Sequence, residues 1–160
     1  MSEFGQTWEL VRKRFDDVFE GLNQEQLSWR LHPGTLTLGE SAIHVAGVEI
    51  SFISQLLGSE LSLADQRLKL AATDGVVNHN TFPFRADEIT PKLVQDSLSR
   101  ARTMVEGVIG DPTDEVRHAQ IKSALGPIID GNGAFARLAY HPGYHHGQAH
   151  IIKTAPGFPE

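Results

Sequence analysis

The sequence predicts an all-α fold, a four-helix bundle with one long crossover connection, in a single domain over residues 1–160. Four segments carry apolar residues at steps of three and four, the spacing that places them on one face of a helix. Alternation typical of strands is sparse and no internal repeat is visible. Residues 59–89 carry only a weak helical pattern followed by a loop-like stretch, so they predict the crossover between two helices of the bundle.

The first helix is predicted from Phe4 to Leu22. One apolar stripe runs along it, made of Phe4, Trp8, Val11, Phe15, Val18 and Leu22. The charged residues off this stripe are expected to face away from the core; they are Glu9, Arg12, Lys13 and Asp16. We interpret the aromatic stripe as core packing.

The second helix is predicted from about Leu38 to Leu57, after a possible helical turn within residues 23–34. Thr37 and Glu40 have the spacing of a capping box at its start. Gly58 is suited to end it, since glycine adopts the left-handed conformation that closes many helices.

The third and fourth helices have weaker boundaries. Thr90 followed by Pro91 predicts the start of the third helix, and residues 110–112 stop it. The fourth is predicted from near Ala134 to Lys153, with residues 154–160 as a frayed tail. Pro142, followed by a glycine, lies inside this helix, so we expect either a kink or a new helix beginning at His141.

Composition excludes several classes of function. The chain has no cysteine, so a metal would have to be held by histidine and carboxylate. A formal charge of −6 with scattered bases argues against a nucleic-acid partner. There is no apolar run of about 20 residues for a membrane span and no signal-peptide pattern at the N-terminus, so we predict a cytoplasmic protein.

The histidines cluster between positions 141 and 150. His141 and His145 lie about 40° apart on the apolar face of the fourth helix, because each residue turns about 100°. His44, in the second helix, is the candidate third ligand, beside the small residues Ser41, Gly47 and Ser51 that would leave room for a pocket. The alternative is three separate, hydrogen-bonded core histidines. His146 and His150 share a sector with Lys153, which predicts a surface position.

Two stretches carry a family resemblance. GLNQEQLSWRLHPGTLTLGESAIHVAGVE, with its GE-xxx-H pattern, and H-xxx-HHGQ resemble the DinB-like (DinB/YfiT) proteins. The resemblance implies an up-down-down-up bundle, usually a homodimer, with a divalent metal, often zinc or nickel, on His44, His141 and His145. His146 departs from the pattern, since family members commonly have arginine there.

Three neutral imidazoles leave a coordination position open, as in catalytic metal sites. A metal there could lower the pKa of water for hydrolysis or activate a thiolate. The resemblance favours an S-transferase that uses a low-molecular-weight thiol such as bacillithiol, mycothiol or glutathione against a small electrophilic substrate, or a hydrolase. The alternative is a non-catalytic stress-associated binding protein whose metal is structural. An arginine-lined pocket would favour the enzyme, and a fourth protein ligand the structural role.

Two further residues are candidates for a role beside the metal. Glu40 lies one turn before His44, where it could accept that ring's second N–H or act as a general base; its alternative role is the helix cap. Gln148 borders the face of His141 and His145 and is predicted to orient a ligand.

A dimer is expected through the first and second helices, both rich in apolar residues. Acid is expected to destabilise the metal-loaded protein between about pH 7 and 5, and the metal-free protein much less.

Overall fold

Four long helices dominate the computed structural model, which describes residues 2–160. In chain order the elements are α1 (Glu3–Asp17), α2 (Gln24–Ser28), α3 (Leu38–Leu57), α4 (Leu63–Leu70), α5 (Pro91–Ile109), α6 (Asp114–His118), β1 (Ile121–Lys122), β2 (Ile128–Ile129) and α7 (Gly131–Lys153). The bundle consists of α1, α3, α5 and α7, which confirms the predicted all-α class. No helix among residues 2–160 combines the length and the apolar character that crossing a membrane would take.

Contacts between helix ends fix the directions of the four helices. The backbone N–H of Ser2, at the start of α1, donates to the carbonyl of Gly110, at the end of α5, over 2.7 Å, so these two helices are antiparallel. Lys153, at the end of α7, donates to the backbone just after α1, so α1 and α7 run in the same direction. Ser41, near the start of α3, contacts His145, near the end of α7, so those helices are antiparallel. The order is up-down-down-up, with the crossover between α3 and α5.

The central helix is α3, of whose 20 residues 16 are buried. Its ends lie where the local signals predict them: Thr37 and Glu40 form the capping box, and Gly58 closes the helix with a φ of 59°. Because its own chain encloses most of α3, this helix offers little apolar surface for the predicted dimer. Exposed large apolar side chains lie on α1 and α7, at Leu10, Tyr140 and Tyr144, and at Leu57, the last residue of α3.

The crossover between α3 and α5 contains α4, which packs directly on α3. A Cβ atom added at Gly47 would lie 2.3 Å from the carbonyl oxygen of Leu68, so only glycine permits this approach. The expectation that Gly47 leaves room for a pocket is therefore wrong, because the backbone of α4 occupies that space. This packing brings the end of α4 beside His44.

Gly47→Ala is expected to lower the free energy of unfolding by about 1–3 kcal/mol, because the new methyl group collides with backbone rather than with a mobile side chain. Gly107→Ala is the matched control: Gly107 lies exposed within α5, and a Cβ there meets no atom within 4 Å among the described residues. That substitution should be neutral or stabilising, since alanine has the higher helix propensity. Urea denaturation of both variants checks the prediction, and equal effects would contradict it.

The region before α7 contains short elements that the sequence pattern does not predict. After α6, β1 and β2 form an antiparallel pair with Ile121 opposite Ile129. Gly126 turns the chain between them with a φ of 106°, a conformation that favours glycine. α7 then begins at Gly131, three residues before its predicted start, with the side chain of Asp130 as its cap.

α7 runs unbroken through Pro142, so the predicted alternative of a new helix beginning at His141 is wrong. The tail after α7 packs against α2 and the residue that follows it. The ring of Phe158 meets Trp29 edge to face at 5.6 Å, and Gln26 donates to the carbonyl of Pro159 over 3.2 Å.

A buried ion pair joins α1 to α3. Arg12 and Glu49 are both 0% exposed, and the Nε atom of Arg12 lies 2.9 Å from Oε1 of Glu49. Trp8 Nε1 donates to the same carboxylate, and Arg12 also donates to the carbonyl of Leu98 on α5 and contacts Asp16. The prediction that Arg12 faces away from the core is therefore wrong, because its charge is satisfied inside the bundle.

Candidate metal centre

Three imidazole rings from two antiparallel helices meet at one point. The Nε2 atom of His141 lies 3.2 Å from Nε2 of His44 and 3.1 Å from Nε2 of His145. His141 and His145 are one turn apart on α7, and His44 reaches them from α3. One ligand atom from each of the three lies within 4.8 Å of the others. The structure thus brings together the three histidines that the sequence singles out.

The opposite nitrogens of the rings have different partners. Nδ1 of His44 lies 2.8 Å from the carbonyl of Ala71, at the end of α4, and Nδ1 of His145 lies 3.3 Å from the hydroxyl of Ser41. A carbonyl only accepts, so His44 carries its proton on Nδ1 and presents a lone pair at Nε2. Nδ1 of His141 is buried and has no hydrogen-bond partner among the described residues.

The arrangement of these nitrogens fits a cation better than a hydrogen-bond network. If Nε2 of His141 carries a proton, that proton can point at Nε2 of only one neighbouring ring. The Nε2 lone pair of the other ring then faces the His141 nitrogen with no proton between them. A cation at the meeting point accepts all three lone pairs, and imidazole nitrogen is a preferred ligand of zinc and its neighbours among the transition metals. The cluster could therefore hold a divalent metal ion.

Burial keeps all three rings in the form that binds metal. Loss of solvent lowers the pKa of His44, partly offset by its hydrogen bond to Ala71. The pKa of His141 falls well below its usual value through burial and the charges of the other two rings. Burial and the charge of His44 lower the pKa of His145 to about 3, while the neighbouring Gln148 side chain acts in the opposite direction. The rings are thus neutral at pH 7 without any metal.

These lowered pKa values predict acid sensitivity in the metal-free protein as well. The unfolded chain takes up protons on His44, His141 and His145 below about pH 6.5, whereas the folded chain resists them, so stability falls as pH drops from about 6.5 toward the folded pKa values. The loss is at most about 1.4 kcal/mol per pH unit for each ring. We therefore expect the metal-free protein to show an acid response of its own, in addition to the one predicted for the metal-loaded protein.

Melting curves of chelator-treated protein between pH 8 and 5 measure this effect. A variant with glutamine at all three positions, which cannot titrate, is expected to lose much of the pH dependence below about 6.5. His150→Ala is the control, because His150 is exposed on α7 and should leave the slope unchanged. The same slope in the triple variant and the parent would contradict the prediction.

A large cavity adjoins the cluster. Its volume is about 1130 Å³, and all three histidines lie on its wall. Glu40 and Ser41 line the same cavity beside His44. Arg30 and Arg137 also line it, together with aromatic and aliphatic side chains that include Val48, Phe52, Phe82, Tyr140 and Tyr144. Among residues 2–160, no further histidine, aspartate or glutamate joins the cluster, so three protein ligands leave a metal open to the cavity.

Glu40 lies on the cavity wall but does not orient His44. Its Oε2 atom accepts the backbone N–H of Thr37 at 2.8 Å, and its Oε1 atom lies 2.6 Å from Arg30. The partner of the His44 ring is Ala71, and Glu40 has the alternative role of helix cap. Gln148 is exposed on α7 and lines the cavity.

The remaining histidines lie outside the cluster. His146 is half-buried and His150 is exposed on α7, and neither contributes to the group of three. Sequence reasoning missed Arg137, although it lies one turn before His141 on the same face of α7, and that spacing was a usable signal. It also missed the Ala71 carbonyl, because any residue can supply a backbone hydrogen-bond acceptor and the sequence therefore does not identify it.

Comparison with known proteins gives a family match over most of the chain. The family model described as the DinB superfamily matches residues 7–149, which include all three histidines of the cluster. None of the curated proteins matches the chain.

Proposed function

Because the chain belongs to the DinB superfamily, we propose that it is a metal-dependent enzyme that joins a low-molecular-weight thiol to a small electrophilic substrate. The observation that carries the proposal is the open side of the histidine cluster, which faces a cavity of about 1130 Å³. Cavities that hold a single drug-sized ligand have volumes of about 300–1000 Å³, so this one has room for a thiol and an electrophile together.

The proposed metal ligands are His44, His141 and His145 through their Nε2 atoms. The Ala71 carbonyl and the Ser41 hydroxyl hold two of the rings in place, which is the usual role of hydrogen bonds behind metal ligands. When bound, a divalent cation such as zinc or nickel supplies a Lewis acid that lowers the pKa of a thiol or of water.

Other cavity residues would handle the substrates. Phe52 and Phe82 give the wall an apolar surface that excludes water and favours an electrophile of low polarity. Glu40 is the acidic side chain on the wall among the described residues, and we propose it as the acceptor of the thiol proton. Gln148 is placed to orient a ligand through its amide.

A thiol-conjugation assay tests the proposal. Zinc- or nickel-loaded protein is mixed with glutathione and 1-chloro-2,4-dinitrobenzene, and the rate is compared with that of chelator-treated protein and of His141→Ala. Metal-dependent conjugation that His141→Ala loses is the expected result, and Glu40→Gln should lower the rate while metal content stays unchanged. Hydrolysis of 4-nitrophenyl acetate without thiol would point to the hydrolase instead. No metal-dependent turnover in either assay would favour the non-catalytic protein with a structural metal.

We also propose a homodimer through α1 and α7. Leu10 is 56% exposed and Tyr140 is 65% exposed, and a shallow apolar groove between these two helices is lined by Phe4 and Val11. Burying such side chains in a second subunit would remove apolar surface from water. Sedimentation equilibrium at micromolar concentration should give twice the chain mass, and a monomer of 17.6 kDa alone would contradict the dimer.

A further inference from the structure

The charges on the cavity wall do not cancel. Three side chains that carry a charge at every pH near neutrality line it, namely Arg30, Glu40 and Arg137. Arg30 and Glu40 neutralise each other across 2.6 Å. Arg137 forms no ion pair with an acidic side chain among the described residues; it donates from Nη1 to the backbone carbonyl of Gly133 over 3.2 Å. Arg137 therefore contributes one uncompensated positive charge to a half-enclosed site.

The position of Arg137 relates it directly to the cluster. It lies four residues before His141 on α7, so the two side chains share one face of the helix, with their Cα atoms about 6 Å apart along the axis. The contact with Gly133 draws the guanidinium further toward the start of α7, away from the rings. A ligand that touches both groups must therefore span a distance on the order of 6–12 Å along the cavity.

We propose that Arg137 binds a carboxylate of the thiol co-substrate, so that this ligand lies along α7 with its sulfur at the histidine cluster. The inference rests on the proposed function, since it assigns the orientation of the thiol in that site. A guanidinium has five N–H donors in a planar fork that matches the two oxygens of a carboxylate. One uncompensated positive charge also matches a monoanion, whereas a phosphate dianion would leave negative charge unpaired inside the cavity.

The second anchor has a consequence for selectivity. A thiol held only through sulfur can rotate about that point, whereas one also held at its far end is fixed along the helix. Arg137, His141 and His145 all belong to one helix, so the separation of the two anchors is set by rigid backbone. Arg137 is therefore a determinant of thiol specificity and not a metal ligand.

Two thiols of equal length separate the contributions of carboxylate and sulfur. 6-Mercaptohexanoate and 6-mercaptohexan-1-ol share a chain and a thiol and differ in the carboxylate. Calorimetric titrations would use the 160-residue chain in its metal-free and zinc-loaded forms. The parent protein is expected to bind 6-mercaptohexanoate at least about tenfold more tightly than 6-mercaptohexan-1-ol, with and without zinc. This gain in affinity is typical of a hydrogen bond to a charged group.

Three variants test whether Arg137 is the source of this preference. Arg137→Gln should bind the two thiols equally, and Arg137→Lys should keep part of the preference because it keeps the charge but loses the fork. Arg117→Gln is the matched control: Arg117 contacts Asn132 near the start of α7, lies outside the cavity wall, and carries the same charge. Melting temperatures and metal content unchanged from the parent would establish that each variant is folded.

The outcomes separate this inference from the proposed function. If the parent does not discriminate between the thiols, or if Arg137→Gln still does, the assignment of Arg137 is overturned. If zinc raises the affinity of both thiols, in the parent and in Arg137→Gln alike, sulfur binding at the cluster is supported whatever the carboxylate does. If zinc has no effect while the preference for carboxylate depends on Arg137, the anion site stands and the thiol function fails.

Discussion

Glu49→Gln is expected to lower the free energy of unfolding by about 3–5 kcal/mol, the cost typical of removing one partner from a buried ion pair. Arg12 and Glu49 are both fully buried, with Nε and Oε1 2.9 Å apart. Glutamine keeps the shape of the side chain and an oxygen that can accept from Trp8, so the loss reports mainly the missing negative charge. Denaturant unfolding monitored by the fluorescence of the tryptophans measures it.

Two comparisons make this test specific. Glu106 forms a pair of the same chemical type with Arg102 at the surface, so Glu106→Gln should cost less than about 1 kcal/mol. Replacing both Arg12 and Glu49 with methionine should cost less than the sum of the two single substitutions, because no unpaired charge then remains in the core. A cost of under about 1 kcal/mol for Glu49→Gln would show that the charge of Arg12 is satisfied by Asp16 and Leu98 alone.

The same pair shows where sequence reasoning about the fold ends. The boundaries of α3 follow from local chemistry, since Thr37, Glu40 and Gly58 act within one turn of the residues they cap. The position of Arg12 does not, because a helical wheel contains no information about a carboxylate on another helix. A wheel therefore places an arginine outside by default, and a buried partner reverses that placement.

The sequence also predicts one part of the candidate site and not another. His141 and His145 share a face of one helix, and their spacing alone predicts that they act together. The contact that holds His44 depends on the crossover, which brings the Ala71 carbonyl to this ring across a glycine of α3. That approach is tertiary and comes from a segment with weak periodicity, so no pattern within α3 or α7 predicts it.

An effect on stability of similar size is expected from the metal itself. A ligand that binds only the folded chain stabilises it by about 4 kcal/mol when its free concentration is a thousand times its dissociation constant. For a domain of this size each kcal/mol shifts the melting temperature by about 2–4 °C, so zinc or nickel should raise it by roughly 8–16 °C. Dialysed protein should retain about one divalent ion per chain, as measured by inductively coupled plasma mass spectrometry.

His141→Ala is expected to abolish both the bound ion and the thermal shift, because its Nε2 atom is the one that lies near both other rings. His146→Ala and His150→Ala, on the same helix, should keep both, and loss of metal in either would reverse the assignment.

The stability cost of His141→Ala should also differ between metal-free and metal-loaded protein, since Nδ1 of His141 is buried without a partner among the described residues. Removing such a ring relieves an unsatisfied polar atom, so its cost should be smaller in metal-free than in metal-loaded protein. Equal costs in the two forms would mean that His141 contributes packing and not coordination.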